Sequence, residues 1–219
     1  MYGIEFAVGV CVLRVRTEDK RREIVAVATE LFQELGYDRT SMSLISERLG
    51  GSKTTLYGYF RSKEELLLAV LELDVDSQAD ELMQMFAGAA DLREGLVELG
   101  IGYLSRRLSP QVVNFARIVA SRPESSGIGE EFYRSTLGVA WMRLCKRFEM
   151  MMEEGRLRRA DPWLAAMQWR GLVEQDLFDR RLLGALREVP AETIERAALA
   201  AADAFLTLYG PAAGDSGRA

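Results

Sequence analysis

The chain has 219 residues, 48% hydrophobic and 28% charged, ordinary globular usage that excludes a wholly disordered chain or a multi-span membrane protein. It has no histidine and only two cysteines, Cys11 and Cys145, far apart in sequence. Histidine acid–base catalysis, histidine metal sites, a disulfide framework and a CxxC zinc site are therefore excluded, and neither cofactor nor metal is expected. The net charge of −5 is unevenly spread: residues 14–63 carry ten Lys/Arg against seven Asp/Glu, whereas residues 64–219 carry eighteen against twenty-five. A mildly basic head on an acidic body suits a partner that is a polyanion.

Met1–Leu13 is apolar with Glu5 as its only charge. It lacks the basic lead and small-residue cleavage site of a secretory signal, and it is shorter than the roughly 20 residues a bilayer span requires. It reads as a loosely packed arm or an artefact of start-codon choice, and the protein is expected to be cytoplasmic. Beyond it the periodicity is helical throughout. From Thr17, a good N-cap type, Ile24, Val27, Ala28, Leu31, Phe32 and Leu35 recur on one face, and Gly36 ends the helix. Thr40 and Ser41 cap a short second helix with Met42, Ile45 and Leu49 inward. Gly50-Gly51 breaks the chain, and Ser52 caps a third helix carrying Leu56, Tyr57 and Phe60. Ser62-Lys63-Glu64-Glu65 is a capping box opening a fourth, longer helix. Later helices open at Asp91, at Ser109-Pro110, after the Ser121–Gly129 loop, at Asp161-Pro162 and at Pro190-Ala191. The expected fold is all-α, with an arm over 1–17, a head over 18–78, a helical body over 79–211 and a flexible tail over 212–219.

Three helices within about 45 residues, the last two short and split by a glycine turn, form a helix-turn-helix pattern. The second helix braces across the phosphate backbone so that the third meets base edges in the major groove. The solvent side of the third helix is small and polar, through Ser52, Lys53, Thr54, Thr55 and Gly58. Lys53 and Lys63 flank it as phosphate partners, and the hydroxyls of Tyr57 and Tyr59 can donate to phosphate oxygens. Short polar helices also occur on surfaces that touch nothing. Arg14, Arg16, Lys20, Arg21 and Arg22 are either a phosphate-following arm or a solvated helix start.

The stretch from Ile24 to Leu66 resembles the DNA-binding domain of the TetR family of bacterial transcriptional regulators. The similarity lies in Ala28-x-x-Leu31-Phe32, Gly36-Tyr37, Thr40-Ser41, Ile45, Gly50-x-Ser52-Lys53-x-Thr55-Leu56-Tyr57-x-Tyr59-Phe60 and Ser62-Lys63-Glu64-x-Leu66. The resemblance implies a homodimer whose paired third helices read a palindromic operator, and a helical C-terminal domain that binds an inducer. Carried over position by position, it implies DNA contacts at Thr40, Ser41, Ser43, Ser52, Lys53, Thr54, Thr55, Tyr57, Gly58, Tyr59 and Lys63. Gly51 and Gly58 depart from the family pattern, the first loosening the turn and the second withholding a side chain. The ending from Glu192 to Gly210 is similar to the AefR-like branch.

The body is rich in methionine and aromatic side chains, which line adaptable apolar pockets as readily as they fill cores. Met83, Phe86, Tyr103, Phe115, Trp141, Cys145, Phe148 and Met167 are the candidate pocket residues. The small face of the last helix, Ala197, Ala198, Ala201, Ala202 and Phe205, suits pairing with a symmetry mate alongside the helix from Pro162, or close packing inside one protomer. Gly50-Gly51-Ser52-Lys53-Thr54 lacks the glycine–lysine adjacency of a phosphate loop, and Asp74–Asp80 lacks the sixth-position glycine and twelfth-position glutamate of a calcium loop. The expectation is thus a dimeric DNA-binding regulator, a repressor released from its operator by a small apolar or aromatic ligand, with no membrane partner. The alternative is a helical small-molecule-binding protein with a degenerate head. An enzyme built on Glu174, Asp176 and Asp179 is disfavoured because nothing groups these acids around a pocket.

Overall fold

The computed structural model describes residues 5–89 and 91–211, without the side chains of residues 5–17 and 73–79. The tail 212–219, Met1–Ile4 of the arm, the side chains of Arg14 and Arg16 and most of the calcium-like run therefore lie outside the described residues. Eleven α-helices and no strand are found among the described residues. The chain divides into two compact units, Met1–Leu73 and Asp74–Ala219.

The first unit holds α1 (Glu5–Leu35), α2 (Met42–Arg48), α3 (Lys53–Tyr59) and the start of α4 (Lys63–Gly88). Thr17 does not cap α1, because the helix runs back to Glu5. The stripe on α1 buries Ile24, Val25, Ala28, Leu31 and Phe32 against Tyr37, Ile45, Leu56, Phe60, Leu66 and Leu67. Gly36 closes α1 at φ +83°, where a side chain would be strained.

The second unit consists of α5 (Leu92–Arg107), α6 (Pro110–Ala120), α7 (Ile128–Phe132), α8 (Gly138–Glu153), α9 (Pro162–Glu174), α10 (Leu177–Leu182) and α11 (Ala191–Tyr209). Asp91, Ser109 and Asp161 each cap their helix by accepting from a backbone N–H three residues on. A 3-10 turn at Glu124–Ser126 precedes α7, and one π-helical turn, Tyr133–Leu137, joins α7 to α8. The core is built on Phe148, Trp169, Phe205, Leu96, Leu144 and Met151.

Two features are left open by the sequence. The helix from Pro162 ends at Glu174, Gln175 takes φ +47°, and α10 follows before Pro190. No glycine or proline marks that break. Beyond it, the end of α10 is held by tertiary contacts: Arg117 donates to the carbonyls of Arg181 and Leu182, and the buried Arg181 donates to those of Leu108 and Leu186. The alanine face of α11 is buried inside the protomer rather than offered to a mate. A Cβ on Gly100 of α5 would lie 2.9 Å from that of Ala198, so α5 and α11 approach closely at that point.

Candidate nucleic-acid interface and ligand cavity

The turn between α2 and α3 is closed from within. Ser41 caps α2 by accepting from the Leu44 N–H, and Ser52 caps α3 by accepting from that of Thr55, both at 3.1 Å. Gly50 sits at φ +61°, and the half-loose turn expected at Gly51 is tied by Ser46. The buried Ser46 hydroxyl donates to the Gly51 carbonyl at 3.0 Å while the Gly51 N–H donates to the Ser46 carbonyl at 3.3 Å. Ser46 gives no recognisable signal in the sequence, because a serine in a short helix reads as solvent-facing, as its neighbour Ser43 is.

On this frame α3 buries Leu56, with Phe60 just beyond its end, and exposes Ser52, Lys53, Thr54, Thr55, Tyr57 and Gly58 on its other side. Ser41 and Ser43 are also exposed, and Tyr59 is half-buried. Tyr57 is 50% exposed, which is large for an aromatic residue on a compact head. A side chain at Gly51 or Gly58 would meet open space, so neither glycine is required by packing. Of the flanking cations, Lys20 pairs with Glu23 at 2.8 Å and the Arg21 guanidinium lies 5.3 Å from the Phe60 ring centre.

Two candidate contacts are placed differently. Thr40 is fully buried, and its hydroxyl donates to the carbonyls of Gly36 at 2.9 Å and Leu31 at 3.1 Å. It locks the α1–α2 turn and is closed to a phosphate. The Lys63 ammonium donates to the carbonyls of Tyr37 at 2.8 Å and Thr40 at 2.9 Å, and sits 4.1 Å from the Tyr37 ring centre. Its charge caps the head's own turn. The Tyr37 hydroxyl in turn donates to Glu64 at 3.0 Å. Burial works against the Glu64 carboxylate, but a backbone N–H, Tyr37, Ser62 and Lys63 together hold its pKa below the ordinary value. The capping box forms with a shift: Ser62 accepts from the Glu65 N–H, and Glu65 accepts from the Arg61 N–H, one residue earlier than usual.

The second unit carries a partly open cavity of about 150 Å3, lined by α4, α5, α6, α8, α9 and the π turn. Of the eight expected pocket residues, Met83, Tyr103 and Trp141 line it. Phe86, Phe148, Phe115 and Cys145 are buried away from it, and Met167 packs on the core's edge. Helical spacing cannot separate a core stripe from a cavity wall, because both are apolar. What the sequence reading missed is Trp169 and three arginines, Arg106, Arg107 and Arg170. Arg106 and Arg107 end α5, where basic residues ordinarily complement the helix dipole, so their spacing gave no hint of a cavity.

A helix-turn-helix head with an exposed hydroxyl- and lysine-bearing third helix, followed by a helical unit around a cavity, defines a DNA-binding regulator with an attached ligand-binding body. Comparison with known proteins agrees. The family model for bacterial regulatory proteins of the tetR family matches residues 24–70, and that for the AefR-like transcriptional repressor C-terminal domain matches residues 94–211, more than half of the chain. The chain is similar to a TetR-family regulator of Mesorhizobium loti MAFF303099 at 26% identity and a TM-score of 0.81, covering 89% of this chain and 98% of that one. It is also similar to the flavonoid-responsive regulator FrrA at 30% identity and a TM-score of 0.66, covering 90% and 100%. Against the transcriptional activator FasR of Mycolicibacterium smegmatis it is 36% identical over 83 residues, 38% of each chain, so the match spans well under half of that curated relative. The chain belongs to the TetR family of transcriptional regulators: it is a DNA-binding regulator, not an enzyme. No helix among the described residues is long and apolar enough to cross a membrane.

Proposed function

We propose that the protein is a dimeric repressor that reads a palindromic operator through α3 and is released when a small, flat, largely apolar ligand enters the cavity of the second unit. The observation that carries this is the exposed row Ser52, Lys53, Thr54, Thr55, Tyr57 and Gly58 on a helix whose opposite side is anchored by Leu56. Ser41 and Ser43 add hydroxyls at the start of α2. Thr40 and Lys63 support the contact face from behind. The repressor sense is supported by the AefR-like repressor match, and an aromatic ligand by the flavonoid-responsive relative together with Tyr103, Trp141 and Trp169 on the cavity wall.

The dimer is assigned to the outward faces of α9 and α11. Trp163, Leu164 and Gly171 are exposed on α9, and Leu199, Ala200 and Leu208 on α11. Ligand binding favours a dimer whose two α3 helices no longer fit successive major grooves, roughly 34–36 Å apart. A coupling of about 1–3 kcal/mol suffices for roughly 5–150-fold release.

The test is selection from a random duplex library at two salt concentrations. A palindrome whose affinity falls steeply as salt rises is the expected result. A folded, dimeric protein that enriches no sequence, with and without aromatic ligands present, overturns the operator reading. A promoter reporter carrying the selected site reads the sign of regulation directly.

A further inference from the structure

The cavity of the second unit has a cationic end that an apolar ligand would not need. Arg106, Arg107 and Arg170 line it beside Trp141, Trp169 and Tyr103, and no carboxylate belongs to the lining among the described residues. Burial lowers the pKa of Arg106. Glu174 serves Arg107 and Arg170. Its Oε1 accepts from Arg107 Nε and from Arg170 Nε, each at 3.2 Å, and from the Tyr103 hydroxyl. Burial and the neighbouring Glu174 both push the Tyr103 pKa up, so the phenol keeps its proton and stays a donor. Trp169 is 1% exposed, and its indole N–H has no acceptor. A buried donor without a partner on a cavity wall asks for an acceptor from the ligand.

Resting on the ligand-responsive reading above, we propose that the effector is a small aromatic carboxylate, its ring against Trp141 and Trp169 and its carboxylate paired with the Arg106, Arg107 and Arg170 guanidiniums. The volume of about 150 Å3 is enough for a benzene ring, and the open side leaves room for a substituent. Arginine is the side chain best shaped to receive a carboxylate with two parallel hydrogen bonds. The same pairing supplies a signal. An incoming carboxylate competes with Glu174 for Arg107 and Arg170, and Glu174 joins α5 to the last turn of α9. The residue that follows, Gln175, already holds φ +47°, so this helix end is poised to rearrange when its anchor is shared. Effector binding thus acts on α9, one of the two helices of the proposed dimer face.

The experiment titrates the full-length protein with trans-cinnamate and with its neutral isostere trans-cinnamamide, reading tryptophan fluorescence and calorimetry. The acid is expected to bind about tenfold or more tighter than the amide, because only the acid matches the guanidiniums in charge. Arg106→Gln abolishes that preference while leaving amide binding in place. Glu174→Gln, which removes the resident competitor without changing its shape, tightens the acid by about three- to tenfold, and circular dichroism checks that both variants fold. Equal affinities for acid and amide, binding of neither, or an acid preference that survives Arg106→Gln overturns the proposal. If operator selection succeeds while any of these occurs, the anionic effector alone is wrong. If no operator is selected, the reading beneath it has failed.

Discussion

Thr40 shows how much of the head rests on single polar atoms. A buried hydroxyl that donates to two carbonyls stabilises a turn that would otherwise leave acceptors unmatched. Thr40→Val keeps the shape and removes the donor, so it is expected to lower unfolding stability in urea by about 1–2 kcal/mol. Lys63, Tyr37 and Glu64 form the second such unit, with a pH signature. Because the folded Glu64 pKa lies below its unfolded value, its stabilisation is present above the unfolded pKa and is lost as pH falls through the folded one. Tyr37→Phe removes one of the hydrogen bonds that favour the charged form and is expected to flatten the acid limb of the stability profile below about pH 4.5. An unchanged acid limb would show that the backbone N–H, Ser62 and Lys63 set the carboxylate without Tyr37. All four residues were visible in the sequence as parts of a motif, but Thr40 and Lys63 as candidate DNA contacts. A hydroxyl or an ammonium looks the same whether it faces a phosphate or a carbonyl of its own chain.

At the level of elements, most helix starts were written locally; Thr17 is the exception, since α1 runs back to Glu5. Ser41, Ser52, Ser62, Asp91, Ser109 and Asp161 each stand immediately before a helix and accept from a backbone N–H three residues on. A cap needs only its own neighbours, so sequence reveals it. Ends and partners are set at a distance. The end of α10 answers to Arg117 on α6 and to the Leu108 carbonyl, and the alanine stripe of α11 answers to Gly100 on α5. Gly100→Val places carbon atoms where Ala198 already stands at 2.9 Å and is expected to cost the second unit about 1–3 kcal/mol in thermal unfolding, with operator contacts on α3 untouched. A neutral effect would mean that α5 and α11 can separate without loss. The π turn at Tyr133–Leu137 belongs with the breaks: Leu137 reaches the cavity from it, yet no proline or glycine inside it announces it.

For the molecule as a whole, charge and symmetry govern the proposed function. The net charge of −5 keeps the body acidic while the head carries the excess of cations, so long-range attraction to DNA is local to one end of the sequence. Lys53→Ala is expected to weaken operator binding nearly uniformly across sequences and to reduce the salt dependence by about one counterion per protomer. Tyr57→Phe tests a hydroxyl contact on the same face. Leu164 on α9 is 50% exposed, and Leu164→Asp is expected to shift the protein toward monomer in light scattering and to lose palindrome binding with it. A dimer that survives this substitution moves the interface off α9.

The amino-acid sequence by itself determined the all-helical class, the helix-turn-helix head, the caps, and the exposed row on α3, because each depends on period, neighbour and turn chemistry within a few residues. Only the tertiary structure decided that Thr40 and Lys63 serve the head's own backbone, that Ser46 closes the turn, and that the alanines of α11 pack inward. It alone separated Trp141, which lines a cavity, from Phe148 two turns along the same stripe, which fills the core. It alone brought Arg106, Arg107 and Arg170 from two helices around one space. Burial and charge pairing are properties of where chain segments meet, and segments far apart in sequence meet only after folding.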